Sequence, residues 1–318
     1  MTKYKEIDIR KVKTISIKNR QNKLDIGIEH LAEPVSAGSS FHAFCESLPS
    51  ILASRDLNEL VQKIVYAIQQ NKPVLIMMGA HVIKVGLSAI VVDFVKKGYL
   101  QGIALNGAGA IHDVELAYYG KTSEDVGETI KDGRFGMARE TAEIINETIH
   151  DAHENGLGFG EGLGKRIVTE RPVNYELSIL GQAYQSEIPA TVHVALGTDI
   201  VHQHLSVNGS AIGETSLRDF RIWAHLVSQI NGGGVVLLFG SAVILPEVFL
   251  KALNVARNIH GAIDDFTTAS FDMIRHYRPQ ENVIQRPTQN GGKGFSFIGH
   301  HEIMMPLLFA SVKEKLAR

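Results

Sequence analysis

Four apolar runs, at residues 73–78, 102–105, 191–196 and 235–239, each end in glycine with small or polar residues, and an amphipathic segment follows. Their apolarity is continuous and does not alternate. This predicts strands buried on both faces, as in a parallel sheet between two layers of helices. Residues 265–269 supply a fifth such run. Upstream, a helix is expected from Ser40 with Phe41, Phe44, Leu48, Ile51 and Leu52 on one face. Leu57, Leu60, Val61, Ile64, Val65 and Ile68 mark the face of a second helix. Further helices are expected near residues 123–126 and over 136–153, 174–185, 216–229 and 245–259, and a short strand over 14–17. The fold class is therefore α/β: a single parallel-sheet, Rossmann-like domain over residues 36–318, with helices on both faces, behind an N-terminal extension of residues 1–35.

Two segments resist this pattern. Residues 155–165 are rich in glycine but lack a Walker-type arrangement, because Phe159 and Arg166 stand where glycine and Ser or Thr are needed. They read as a flexible connection. Residues 276–294 are rich in Pro, Gln, Asn and Gly and read as a long loop.

Composition narrows the function. The 318 residues are 44% hydrophobic with a formal charge of −2, which offers no basic footprint for nucleic acid. One cysteine, Cys45, excludes an intrachain disulfide, and a charged start without an apolar core shows no secretory signal, so a cytoplasmic location is expected. The uncharged stretch 230–246 is interrupted by glycine and proline, so a turn, strand and loop explain it better than a membrane span.

In a parallel sheet, ligands bind beyond the carboxyl ends of the strands. Those ends supply Gly79, His81, Asn106, Gly107, Gly109, Asp199, Gly240 and Ser241, and the turns beyond add Lys84, His112, Asp113, His202 and His204. Lys293 and His300, His301 and Glu302 follow near the carboxyl terminus. Any one of them alone reads as a helix cap or turn residue. Their accumulation at several strand ends marks a site. No metal site is expected from fourteen histidines, because no His-Glu-x-x-His helix or cysteine ligand set occurs. The full dinucleotide fingerprint is also missing: Gly107-Ala108-Gly109 is half of it, with His112 in place of the third glycine.

The order of these segments resembles deoxyhypusine synthase from roughly His30 to Leu308. The resemblance is carried by residues 41–47, by Leu105-Asn106-Gly107-Ala108-Gly109-Ala110-Ile111-His112-Asp113, by residues 188–199 ending in Gly197-Thr198-Asp199, and by Thr267-Thr268-Ala269-Ser270-Phe271-Asp272. It implies an NAD-binding α/β domain, assembled as a homotetramer. It also implies dehydrogenation of spermidine and transfer of its aminobutyl group through an active-site lysine. Asp113 and Asp199 match the family pattern. The family's Trp-Gly-Lys does not: the single tryptophan is Trp223, and the lysine's place falls near Arg286 or Pro287, with Lys293 nearest. Phe239-Gly240-Ser241 and Pro246-Glu247 replace its triple glycine and following histidines. His112 stands near a cofactor-contacting glutamate, and Gly299-His300 near an aspartate by the adenosine.

The expectation is a deoxyhypusine-synthase-like enzyme doing NAD-linked chemistry on a small polar or amine substrate, without forming hypusine itself. Gly79, His81, Asn106, Gly107, Gly109, Asp199, Gly240, Ser241 and Thr268 would line the cofactor. Lys84 or Lys293 would be nucleophile or base, and His112, Asp113 and His301 would move protons. A metal-assisted hydrolase or lyase, and a ligand-sensing oligomer without catalysis, stand as alternatives. The partners expected are a small molecule and further copies of the chain, not nucleic acid or membrane.

Overall fold

A computed structural model describes residues 2–22, 27 and 31–318. His30, where the family resemblance begins, lies outside the described residues. The chain divides into two compact units, 1–54 and 55–318. The described part of the first holds two single turns, Ile9–Lys11 and Ile17–Asn19, and helix α1, Phe41–Ser47, capped by Ser40, whose Oγ accepts from the Ala43 N–H at 3.2 Å. The strand expected over 14–17 does not form: Ile17 starts a 3₁₀ turn and the segment has no ladder partner among the described residues.

The second unit is built on six strands. They are β1 Val74–Met78, β2 Gly102–Asn106, β3 Ala190–His193, β4 Gly234–Phe239, β5 Phe266–Asp272 and β6 Lys293–Ile298. All pairings are parallel, in the order β3-β2-β1-β4-β5-β6. Because side chains alternate across a strand, each apolar run feeds two cores. Val74, Ile76 and Met78 enter one, with Ile103, Leu105, Leu237 and Phe271. Leu75 and Met77 enter the other, with Ala104, Val236 and Leu238.

The first core is closed by α2 (Leu52–Gln69), α3 (His81–Lys84), α4 (Ser88–Lys96), α5 (Gly107–Tyr119), α7 (Arg139–Glu154), α8 (Phe159–Glu170), α9 (Ile179–Gln185) and α13 (His301–Leu316). The second is closed by α10 (Gly209–Ser228) and α11 (Ile244–His260). The short turns α6 (Val126–Thr129) and α12 (Tyr277–Pro279) complete the set. No helix of the described residues is long and apolar enough to cross a membrane.

Two segments differ from the sequence expectation. The glycine-rich stretch is not a loop but the body of α8. A Cβ on Gly160 would lie 2.0 Å from the Ala190 carbonyl oxygen, one on Gly164 2.7 Å from that of Leu180, and one on Gly162 2.7 Å from the Ala152 Cβ. The glycines are the contact face of a helix pressed against β3, α9 and α7. The expected loop 276–294 holds α12, a π-helical turn Gln280–Gln285 and the start of β6.

Edge strand β3 stops at His193 because α10 takes over its outer hydrogen bonds. Asp219 accepts from the Val192 N–H at 2.6 Å, and Ser216 Oγ accepts from Val194 N–H at 3.1 Å while donating to Val192 O at 3.0 Å. An edge closed in this way is protected from pairing with another strand.

Candidate functional site at the switch point of the sheet

In the order 3-2-1-4-5-6 the connections leave in opposite directions from β1 and β4, and sheets of this kind have their ligand crevice between those carboxyl ends. Two glycines meet there. The Gly79 N–H donates to Phe239 O at 2.9 Å, and a Cβ on Gly79 would lie 2.1 Å from the Gly240 carbonyl oxygen. Gly240 itself has φ +66°, and its missing Cβ would lie 2.5 Å from His301 Nε2. The glycine signal in the sequence thus has a different cause from ligand approach alone: these glycines bring protein groups together at the strand ends.

His301, the first residue of α13, is the group they admit. It is 5% exposed, with its ring 5.9 Å from that of His81 and 6.0 Å from that of Phe239. Its Nδ1 is buried without a hydrogen-bond partner among the described residues. Burial pushes its pKa below the usual histidine range, His81 adding to the effect and Asp272 opposing it. Protonation would leave a second N–H buried without an acceptor, which costs free energy. His81 is exposed at the start of α3, and Lys84 lies one turn further on, also exposed. Ser241 is buried, and its Oγ accepts from the Leu245 N–H in the first turn of α11 at 3.2 Å.

A second group gathers at the end of β2. Asn106 caps α5 by accepting from Gly109 N–H at 2.9 Å. Gly107 makes room for Asp199, whose Oδ2 would lie 1.9 Å from a Cβ there. Burial raises the Asp199 pKa, with His202 partly offsetting it. His202 lies in the 3₁₀ turn Ile200–Gln203, and His204 follows it. His202 Nδ1 accepts from the N–H groups of Gly197 and Asp199, and His204 Nε2 contacts Gly136 O at 2.8 Å.

Three expected residues are not brought to the crevice. Asp113 is fully buried two turns into α5. Its carboxylate accepts from Ser178 Oγ at 2.6 Å, Ile179 N–H at 2.7 Å and Leu180 N–H at 3.1 Å, so it caps α9. Burial nevertheless pushes its pKa up to about 6, against those three hydrogen bonds. Lys293 begins β6, at the amino end of the sheet, and pairs with Glu59. Thr268 lies inside β5, between Val236 and Gly294.

His112 forms a cluster of its own. Its Nδ1 contacts Thr122 Oγ1, which donates to Glu115, and Thr141 Oγ1 donates to the same carboxylate at 3.0 Å. Burial acts against the Glu115 carboxylate, yet the His112, Thr122 and Thr141 hydrogen bonds hold its pKa below the usual glutamate range. Glu115 was not singled out from the sequence, although its spacing of three from His112 within a helix was the available signal. Among the described residues, no group of three or more His, Cys, Asp or Glu side chains could hold a metal ion.

A six-stranded parallel sheet in this order, with glycine turns at its switch point, defines a Rossmann-like α/β protein. No protein-family model matches the chain, and no curated protein does. Solved structures do match, and they place its fold with deoxyhypusine synthase. A protein from Entamoeba histolytica, named as a candidate deoxyhypusine synthase, is 11% identical with a TM-score of 0.51, over 86% of this chain and 93% of that one. A conserved protein from Methanococcus maripaludis, assigned to the LOR/SDH group, is 14% identical with a TM-score of 0.53, over 82% and 70%. AgrE, solved as a ternary complex with ornithine and NAD+, is 11% identical with a TM-score of 0.53, over 84% of this chain. The chain spans about a third of AgrE, 34% of its length.

Proposed function

We propose that this chain is an enzyme that binds a nicotinamide dinucleotide over the strand ends and oxidises or reduces a small polar, amine-bearing substrate there. The observation that carries this is the wedge of His301 against Gly240 at the switch point, a nearly buried imidazole with one nitrogen left unpartnered. The crevice fits the cofactor class in its position on the fold. The turns at Gly79 and Gly240–Ser241 and the Asn106–Gly107 end of β2, with Asp199 beside it, are the groups that would hold it. NAD+ bound to AgrE on the same fold supports the choice. Such a cofactor supplies a two-electron hydride acceptor or donor.

The protein's own part is proton handling. Burial depresses the pKa of His301, so it is neutral near pH 7 and can take up the proton that a substrate amine or hydroxyl loses. His81, exposed at the rim, passes that proton to solvent. Lys84 places a further amine one helical turn from His81. Homotetramer formation belongs to the same proposal and is read from the mass in solution.

Titration calorimetry with NAD+ and NADH tests the cofactor. Saturable binding is expected, followed by NADH formation with ornithine, spermidine or another small amine. Absence of saturable binding by either form of the cofactor refutes the assignment.

A further inference from the structure

A cavity of about 540 Å³ opens where α8, α9 and α10 meet the amino end of β3. It is therefore at the opposite end of the sheet from the crevice, since β3 enters at Ala190 and leaves at His193. It exists because α8 can approach the strand so closely: Gly160, in its lining, has the Ala190 carbonyl where a Cβ would be. Its volume is that of a small-molecule site.

Aliphatic side chains, Leu180, Ile188 and Ile222 among them, form much of the lining. The charged side chains are of one sign. Glu161 and Glu187 contribute carboxylates, Gln185 an uncharged amide and the partly exposed Tyr184 an aromatic ring, and among the described residues no Lys, Arg or His lines the cavity. Glu187 is held at φ +56°, in the left-handed turn that ends α9, where glycine would be less costly. An apolar hollow with carboxylates and a tyrosine face suits an ion that is cationic at one end and hydrocarbon at the other.

We propose that this cavity is a second binding site, distinct from the strand-end crevice, for a small organic cation such as an aryl- or alkylammonium. Anions are disfavoured by Glu161 and Glu187. Neutral ligands gain the apolar contact but not the charge.

Benzylammonium, benzyl alcohol and benzoate test this, titrated into the full chain by calorimetry and by NMR. Benzylammonium should saturate one site per chain and bind about tenfold more tightly than benzyl alcohol, with benzoate weaker still. Glu187→Gly removes a carboxylate while keeping the left-handed turn, and Glu161→Gln removes the other from an exposed position. Each should weaken benzylammonium about two- to fivefold, and the pair about tenfold, with benzyl alcohol unchanged and the melting temperature held. Equal binding of all three probes, no saturable binding, or undiminished affinity in the double variant would overturn the proposal. So would occlusion of the cavity by a second copy, seen as a mass increase that Tyr184→Arg abolishes.

Discussion

Replacing Gly240 by alanine should damage the site through one identifiable contact. The new Cβ would lie 2.5 Å from His301 Nε2, and reaching an ordinary 3.4 Å separation means opening the gap by 0.9 Å. Overpacking of this kind costs roughly 1–3 kcal/mol. Placing a side chain at φ +66° adds roughly 1–2 kcal/mol. The sum, about 2–5 kcal/mol, corresponds to a fall in melting temperature on the order of 5–15 °C for a unit of this size. Displacing a proton-transfer group by about 1 Å should lower turnover on the order of a hundredfold. A double-mutant cycle separates the two causes. In a His301→Ala background the clash has no partner, so Gly240→Ala should cost only the backbone part, leaving a coupling of about 1–3 kcal/mol. Thermal or denaturant unfolding of the four proteins measures it. Gly213→Ala, whose Cβ meets nothing within 4 Å inside α10, should stabilise by about 1 kcal/mol and leave ligand affinity unchanged. If Gly240→Ala costs the same with and without the His301 ring, the contact does not organise the site.

Asp219 offers a pH test of the fold. Burial pushes its pKa up to about 7, although it accepts from Gly160 and Val192 N–H groups. The folded chain therefore holds a proton between about pH 4 and 7 that the unfolded chain has released. Its stabilising share is complete below about pH 4 and is lost as pH rises through about 7, up to roughly 4 kcal/mol. Asp219→Asn should flatten that slope relative to the parent, and parallel pH profiles of the two proteins would disprove the linkage. Incubation with spermidine, NAD+ and the protein whose lysine deoxyhypusine synthase modifies should leave that protein unmodified, because Lys293 lies at the amino end of β6 with Glu59. Robust modification would show that another lysine, with Lys84 the first to test, takes the transferred group.

The buried strands were legible because a strand covered on both faces must be apolar at every position, as β1 and β4 are. Edge strand β6 obeys a weaker rule. In Lys293-Gly294-Phe295-Ser296-Phe297-Ile298 only Phe295 and Phe297 are buried, and a lysine and a glycine open it, so its run merged with the polar loop before it. Lys293 is the lysine nearest the place of the family's Trp-Gly-Lys, but as the first residue of β6 it lies at the amino end of the sheet. Helix α8 was hidden differently. Phe159, Leu163 and Ile167 give it an apolar face at helical spacing, but the packed Gly160, Gly162 and Gly164 beside them carry no hydrophobic signal, and five glycines within 155–165 read as a loop. Glycine in a sequence does not say whether a ligand or another part of the chain needs the space, and at Gly79, Gly107 and Gly240 it is the chain. The same limit governs the candidate site. Asn106, Gly79 and Gly240 follow from strand ends, which local pattern reveals, whereas the contact of His301 with Gly240 joins positions distant along the chain through the start of α13. Asp113 fails for the opposite reason: it is close in sequence to Asn106, but two helical turns carry its carboxylate to α9. Proximity along a helix selects a face, and only the packing of that face decides whether an acidic residue meets a ligand or a neighbouring helix.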